Sequence, residues 1–366
     1  MEFTRRQFGA LAMTALPGAI WSGTPTSAFR QAPSTAKPNS KFGGVQVGAI
    51  SYCFRQISYN PEDVAKAMAY LGLNDLELEQ AFFEPYLGAP RDPTGGGQPA
   101  GVGSVPAGGP FGRDVKNPPS AEAGGAPSGG RGRGGRGNTP PTPEAIAALE
   151  KTRAELRKWR LALPMQKVEA LRNMFADAGV TVSLVKFPQL GGTEMSDEEI
   201  DYCFQLAKTM RARGLTCEPP LSQTKRLAKF ADKHQMIVSF HNHSNVTSVE
   251  AFGRTGAWEQ TFFYSPRHWA NVDVGHFTAG NGFPPTEFIR EYHARITNLH
   301  LKDRKINGPN VPWGQGDTPI ADILRMVKRE KYNITASIEL EYPIPQGSSV
   351  MDEMANCVKY CKDALA

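Results

Sequence analysis

Apolar positions along the chain fall into two alternating patterns. Short runs rich in Val, Ile and Leu come first, "VQVGAISY", "DLELEQ", "VTVSLVKF" and "LTCEPP". The second half repeats them as "MIVSFHNH", "ANVDVGH", "ITNLHLKD" and "ITASIELEY". Between them lie longer stretches with apolar residues every three or four positions. These are "PEDVAKAMAYLG", "PEAIAALEKTRAELRKW" with "PMQKVEALRNMFADAG", "SDEEIDYCFQLAKTMRARG", "SQTKRLAKFADKH", "PTEFIREYHAR" and "IADILRMVKREKY". A last one, "VMDEMANCVKYCKDAL", closes the chain. The short runs have the length of buried strands, and the longer ones the period of amphipathic helices. Several helical stretches run into Gly just before the next strand, the usual C-terminal stop. Eight strands, each followed by a helix or a long connection, predict an α/β fold, a single-domain (β/α)₈ TIM barrel.

Two segments break the pattern. From 87 to 143 Gly, Pro and Ser dominate, with almost no aliphatic residues. Such a stretch cannot bury enough apolar surface to offset its ordering entropy, so it is expected to be a disordered insertion after strand 2. Its "RGRGGRG" resembles an RGG box, but export of the protein would leave it a solvated basic loop. At the N-terminus, Arg5 and Arg6 precede Phe8, a short apolar stretch and the small residues of "PTSAF". This resembles a twin-arginine (Tat) export signal, cut after Ala28, with the periplasm or cell surface as destination. Pro17 and Gly18 interrupt the apolar stretch, which falls short of the roughly 20 residues of a spanning helix, so no stable membrane anchor is expected. The expected division is a leader 1–28, a linker 29–40 and a barrel 41–366. Without leader and insertion, the chain is close to the about 250 residues of one barrel.

Composition adds little to this picture. The formal charge of +5 is modest and does not point to nucleic acid. The five cysteines form no C-x-x-C pair and are expected to be buried free thiols.

The polar residues at the strand ends carry the chemistry. Strand 5 ends with His241 and His243, strand 6 with Asp273 and then His276, strand 7 with His300, Lys302 and Asp303, and strand 8 with Glu339 and Glu341. Four of the seven histidines lie in this group. Adjacent strand ends of a barrel converge on one half of its mouth, where such folds keep their active sites. His241, Asp273, His300 and Glu339 are the expected ligands of one divalent metal ion. Their mixed nitrogen and oxygen donors suit Mn, Co, Fe or Zn better than Mg or Ca. His243, on the same strand face as His241, is a proton carrier for neutral pH. Lys302 either steadies a developing enolate oxygen or pairs with Asp303. Glu79, ending strand 2, binds a sugar hydroxyl or holds an arginine. Trp313 in "PWGQGD" stacks on a sugar ring or caps the barrel. Glu218 in "CEPP" is assigned a structural role, and Arg304 and Glu341 support the substrate side.

The strand order, with "VDVGH", "NLHLKD" and "SIELEY", resembles the xylose isomerase-like barrel superfamily. This holds the sugar phosphate isomerases and epimerases, the inosose dehydratases and the endonuclease IV group. The resemblance implies a metal held by Glu, Asp, His and Glu from strands 5 to 8. Asp273, His300 and Glu339 match the last three, while His241 stands in place of the first Glu. In the ketose 3-epimerases both glutamates also act as the acid/base pair, and here only Glu339 remains. The resemblance further implies that His276 lies near the substrate, where it bonds a hydroxyl or the metal-bound oxygen, or else orients Asp273, and members commonly form homodimers.

The expected function is a divalent-metal-dependent sugar isomerase or epimerase that removes a proton next to a carbonyl to give an enediolate. The alternative is a lyase or dehydratase acting on keto-sugars or 3-keto-glycosides. A third reading is a non-catalytic exported sugar-binding protein, expected to purify without metal. The strand ends "ELEQ" and "VKFPQ" carry no histidine, and no Asp-x-His follows strand 7, which speaks against a three-metal endonuclease.

Overall fold

A computed structural model describes residues 37–90 and 142–366. The expected leader, residues 29–36 of the expected linker and residues 91–141 of the Gly/Pro-rich stretch lie outside the described residues. Eight strands run in parallel: β1 (Val45–Ile50), β2 (Asp75–Glu79), β3 (Thr181–Lys186), β4 (Gly214–Cys217), β5 (Ile237–His241), β6 (His268–Asp273), β7 (Ile296–Leu301) and β8 (Thr335–Ile338). Each pairs with the next, and β1 pairs with β8 through Val47 and Ala336, which closes the TIM barrel. A two-residue strand, Lys41–Phe42, folds back antiparallel on Val45 and Gln46. Just before it, Ser40 is fully buried, and its Oγ donates to the Val47 carbonyl over 2.6 Å.

The helices form where the sequence provides caps and apolar stripes. Asn60 caps Pro61–Tyr70 by accepting from the Glu62 N–H. Ser196 and Glu199 make a reciprocal capping box at the start of Asp197–Thr209. The stop before β4 differs from expectation. Arg211 takes the left-handed conformation there, with φ 59°. Gly214 instead lies within β4, where a Cβ would come 2.9 Å from the Ile237 carbonyl.

Three helices do not announce themselves in the sequence: Gln80–Tyr86, Thr255–Tyr264 and Val274–Asn281. The first carries an internal proline, Pro85. The third has six of its eight residues buried, so no amphipathic stripe marks it. Its apolar start reads as more strand, whereas β6 stops at Asp273, before Val274. Strand 8 likewise stops at Ile338, with Glu339 and Glu341 just beyond it.

The insertion boundary at 87 also needs correction. Leu87 is buried and donates its N–H to the Phe83 carbonyl, so residues 87–90 belong to the folded barrel. On the far side, Pro143–Ala162 is helical and anchored by Arg160. The Arg160 guanidinium pairs bidentately with Glu84, both bonds 2.9 Å, and reaches Glu199 over 3.1 Å. All five cysteines are free and buried, as expected. Among the described residues no helix is long and apolar enough to cross a membrane.

Candidate metal centre

Alternate strands of a (β/α)₈ barrel contribute to the same interior layer. Here the even strands place Glu77 (β2), Thr216 (β4), Asn271 (β6) and Ser337 (β8) inside. Glu77 accepts from Thr216 Oγ1 over 2.6 Å, from Asn298 Nδ2 over 2.8 Å and from Asn271 Nδ2 over 3.3 Å. Two residues further along each even strand or its immediate extension come Glu79, Glu218, Asp273 and Glu339. The strand period of two aims all four acids at the mouth. The odd strands supply bases between them: Lys186 from β3, His241 from β5 and His300 from β7. The mouth is therefore a ring of alternating acids and bases, and only its β5–β8 half is rich in imidazole.

Local bonds set the four expected metal ligands in place. Asp273 caps the helix Val274–Asn281, its Oδ1 accepting from the His276 N–H over 2.6 Å, which leaves Oδ2 for the site. Asn242, between the two histidines of "HNH", grips β6. Its Oδ1 accepts from the Asp273 N–H over 2.7 Å, and its Nδ2 donates to the Asp273 carbonyl over 3.1 Å. His300 Nε2 lies 2.8 Å from Glu77 Oε2, which turns Nδ1 toward Glu339. A carboxylate behind a histidine in this way orients it as a ligand and fixes its tautomer. Gly275 lets the neighbouring strand approach, since a Cβ there would fall 2.4 Å from Lys302 Cγ.

The donor set fits a cation. Asp273 Oδ2, His300 Nδ1 and Glu339 Oε2 are buried with ion-pair contacts of 2.8–3.1 Å to one another or to Lys302 Nζ, while His241 Nδ1 is buried without a partner. Buried polar atoms are rarely left so. Ligand atoms of these four residues all lie within 4.8 Å of one another. Around one ion at roughly 2.1 Å they would be at most about 4.2 Å apart, so small side-chain shifts close the shell. A second group, His241, His243 and His276, is also close enough to share an ion. His276 lies between two cations, however, with Lys302 Nζ 3.1 Å from its Nε2 and Arg304 Nη1 2.6 Å from its Nδ1. That makes it a poor cation ligand.

Charge is arranged accordingly. Burial, with Lys186 and His300 adding, holds the His241 imidazole well below its ordinary value. Burial, then Lys302, His243 and Arg304, does the same to His276. Burial would lower His300 too, but Glu77 and Glu339 outweigh it and lift it to about 10. Glu339 is held well below the carboxylate range because Lys302 and His300 overcome its burial. Glu79 is the exception among the acids, pushed up to about 7 by burial against the pull of Lys186.

The other expected residues take varied positions. Lys302 is buried and does not pair with Asp303. Its Nζ lies 2.9 Å from Asp273 Oδ2 and 3.1 Å from Glu339 Oε2, and it donates to Glu341. Asp303 instead accepts from the Gly314 and Gly316 N–H groups, both 2.8 Å, shaping the loop after β7. Arg304 ties three loops together through Ser244, His276 and the Gly308 carbonyl. His243 is half exposed at the mouth, its ring 5.1 Å from His241 and 5.0 Å from His276, and its Nε2 3.8 Å from Glu218 Oε2. The strand-register partner of Glu79 is Lys186, and among the described residues no ion pair of Glu79 with an arginine forms. Lys186 in turn pairs with Glu218 over 2.6 Å. Trp313 packs edge-on against Tyr360 at 5.6 Å, its indole N–H buried without a partner. Sequence reading missed Glu77, Asn242 and Lys186. The recurring polar-x-acid pairs of the even strands were the signal for Glu77.

Residues 145–360 match the family described as xylose isomerase-like TIM barrel. The chain belongs to that family. Solved structures agree on the fold. A xylose isomerase domain containing protein from Salmonella typhimurium LT2 superposes with a TM-score of 0.52 at 11% identity, over 90% of this chain and 99% of the other. The probable 3-DHS dehydratase AsbF from Bacillus anthracis gives 0.51 at 12%, over 86% and 97%. A sugar phosphate isomerase/epimerase from Parabacteroides distasonis gives 0.51 at 14%, over 86% and 95%. No curated protein sequence matches the chain.

Proposed function

We propose that the chain is a divalent-metal-dependent enzyme of the sugar isomerase and epimerase kind, which removes a proton from the carbon next to a substrate carbonyl. The observation that carries this reading is the buried group of His241, Asp273, His300 and Glu339, whose ligand atoms lie within 4.8 Å of one another. When bound there, a divalent cation supplies Lewis-acid polarisation of the carbonyl. The chain's own groups do the rest. His243, half exposed beside this set, is placed to take the proton, with Glu218 behind it to orient the ring. Lys302 and the neutral His276 present a positive and a hydrogen-bonding group where an oxyanion or hydroxyl would lie. A proton returned to a different carbon or face gives isomerisation or epimerisation.

Glu79 favours a second reading, elimination. It ends β2 with a carboxyl raised to about 7 by burial, so near neutral pH a good fraction is protonated and able to donate to a leaving oxygen.

The test is exchange. Metal-loaded protein is incubated in D₂O with a panel of ketoses, aldoses and 3-keto-glycosides. Deuterium should enter the carbon next to the carbonyl, and His243→Ala should slow that entry by on the order of 10²-fold while metal stays bound. A new stereoisomer selects the epimerase and a released aglycone the lyase. No exchange across the whole panel would sink the mechanism.

A further inference from the structure

Glu339 lies one residue beyond the end of β8, so the regular sheet does not hold it on both sides. On the β7 side its own N–H donates to the Leu301 carbonyl over 3.0 Å. On the β1 side the ladder has already ended. The last register pair there is Ala49 with Ile338, and β1 gives way to a 3₁₀ turn, Ser51–Phe54.

Side chains of that turn take over from the ladder. The Cys53 thiol donates to the Ile338 carbonyl and accepts from the Leu340 N–H, both over 3.2 Å. These are the backbone groups just before and just after Glu339. Arg55 follows the turn and adds a third bond, its Nη1 donating to the Leu340 carbonyl over 3.0 Å and to the Tyr52 carbonyl over 2.9 Å. Cys53 is buried, and a thiol serves as both weak donor and weak acceptor. A cysteine that only filled space would need neither contact, whereas here one sulfur bridges the two peptides that flank a candidate ligand. Side chains alternate across a strand, so fixing the backbone on either side of a residue fixes the face to which it points. That matters for Glu339. Its Oε2 lies 2.8 Å from His300 Nδ1 and 3.1 Å from Lys302 Nζ, and a ligand set tolerates misplacement of only about 0.5 Å.

We propose that Cys53, assisted by Arg55, is a positioning residue for Glu339, acting on metal affinity through the backbone on either side of that ligand. The inference rests on the reading of the mouth as a metal centre.

The experiment is a titration of the full chain with Zn²⁺ or Mn²⁺ against a competing chelator, alongside thermal midpoints of the metal-free proteins. Cys53→Ala removes both sulfur bonds and should weaken metal binding about 10–100-fold, the loss typical when a partner behind a ligand is removed. Cys53→Ser keeps a donor and an acceptor and should recover most of that affinity. Cys203→Ala opens a similar space on the helix Asp197–Thr209, where the thiol is equally buried. It should keep the metal affinity of the wild type. A merely structural thiol at 53 would lower the midpoint on truncation and leave affinity alone. If Cys53→Ala does not fold, Arg55→Leu decides, since loss of the Leu340 bond should weaken metal binding in the same direction. Unchanged affinity in the deciding variant would overturn the inference and leave the metal centre standing. So would a serine variant that binds no better than the alanine one, or an equal loss in Cys203→Ala. A wild type that binds no metal would overturn both readings together.

Discussion

Residue by residue, the centre depends on groups that do not touch the cation position as well as on those that do. Glu77 illustrates this. It is buried inside the barrel, and His300, Lys186 and Thr216 overcome its burial to hold it ionised. Glu77→Gln should keep the fold but lose the charge that fixes His300, lowering metal affinity about 10–100-fold. A titration with Zn²⁺ or Mn²⁺ against a competing chelator reads this directly, and unchanged affinity would remove Glu77 from the account. Gly275→Ala is predicted to destabilise by about 1–3 kcal/mol in urea unfolding, because its methyl group would overlap the Lys302 side chain and carbonyl. A neutral result would mean that β7 shifts freely. The four candidate ligands were legible in the sequence because each lies at or within one residue of a strand end, and strand ends can be found from periodicity. Glu77, Asn242 and Lys186 were not. Their roles come from contacts across the barrel between strands far apart in sequence, and one strand's pattern does not show which residues face one another.

At the scale of elements, capped helices with apolar stripes were readable, and short buried ones were not. Val274–Asn281 looks like strand because its apolar residues surround it on all sides. Only the Asp273 cap reveals it, and Asp at that point reads equally as a candidate metal ligand. The strands also carry a pH dependence. His268 opens β6, fully buried, with Nδ1 3.0 Å from the Thr261 carbonyl and Nε2 without a partner. Burial pulls it down to about 4, with Arg295 adding and the Thr261 bond opposing. The folded state therefore keeps it neutral, while the unfolded chain takes up a proton below about 6.5. Its contribution to stability is full above that pH and falls as the pH drops toward the folded value, by up to about 3 kcal/mol. Unfolding free energies at pH 7 and pH 4.5 should differ less in His268→Phe than in the wild type. Equal differences would show that the imidazole is not the group that titrates.

For the whole molecule, closure of the sheet turns a local alternation into a site. Once β1 meets β8, acids from even strands and bases from odd strands meet at one mouth, and the imidazoles gather in one half of it. The barrel itself was legible from the order of strands and helices. The edges of the Gly/Pro-rich stretch were legible only to within a few residues, because Leu87 packs into the core from a composition that otherwise reads as linker. The central claim is that this closure builds one metal centre from four successive strand ends. Elemental analysis of the purified full chain, after loading with Mn, Co, Fe or Zn and removal of free ions, tests it most directly. About one equivalent per chain is predicted for the wild type, with marked loss in each of His241→Ala, Asp273→Ala, His300→Ala and Glu339→Ala. A wild type that retains no metal, or full occupancy after loss of Asp273 or Glu339, would contradict the account.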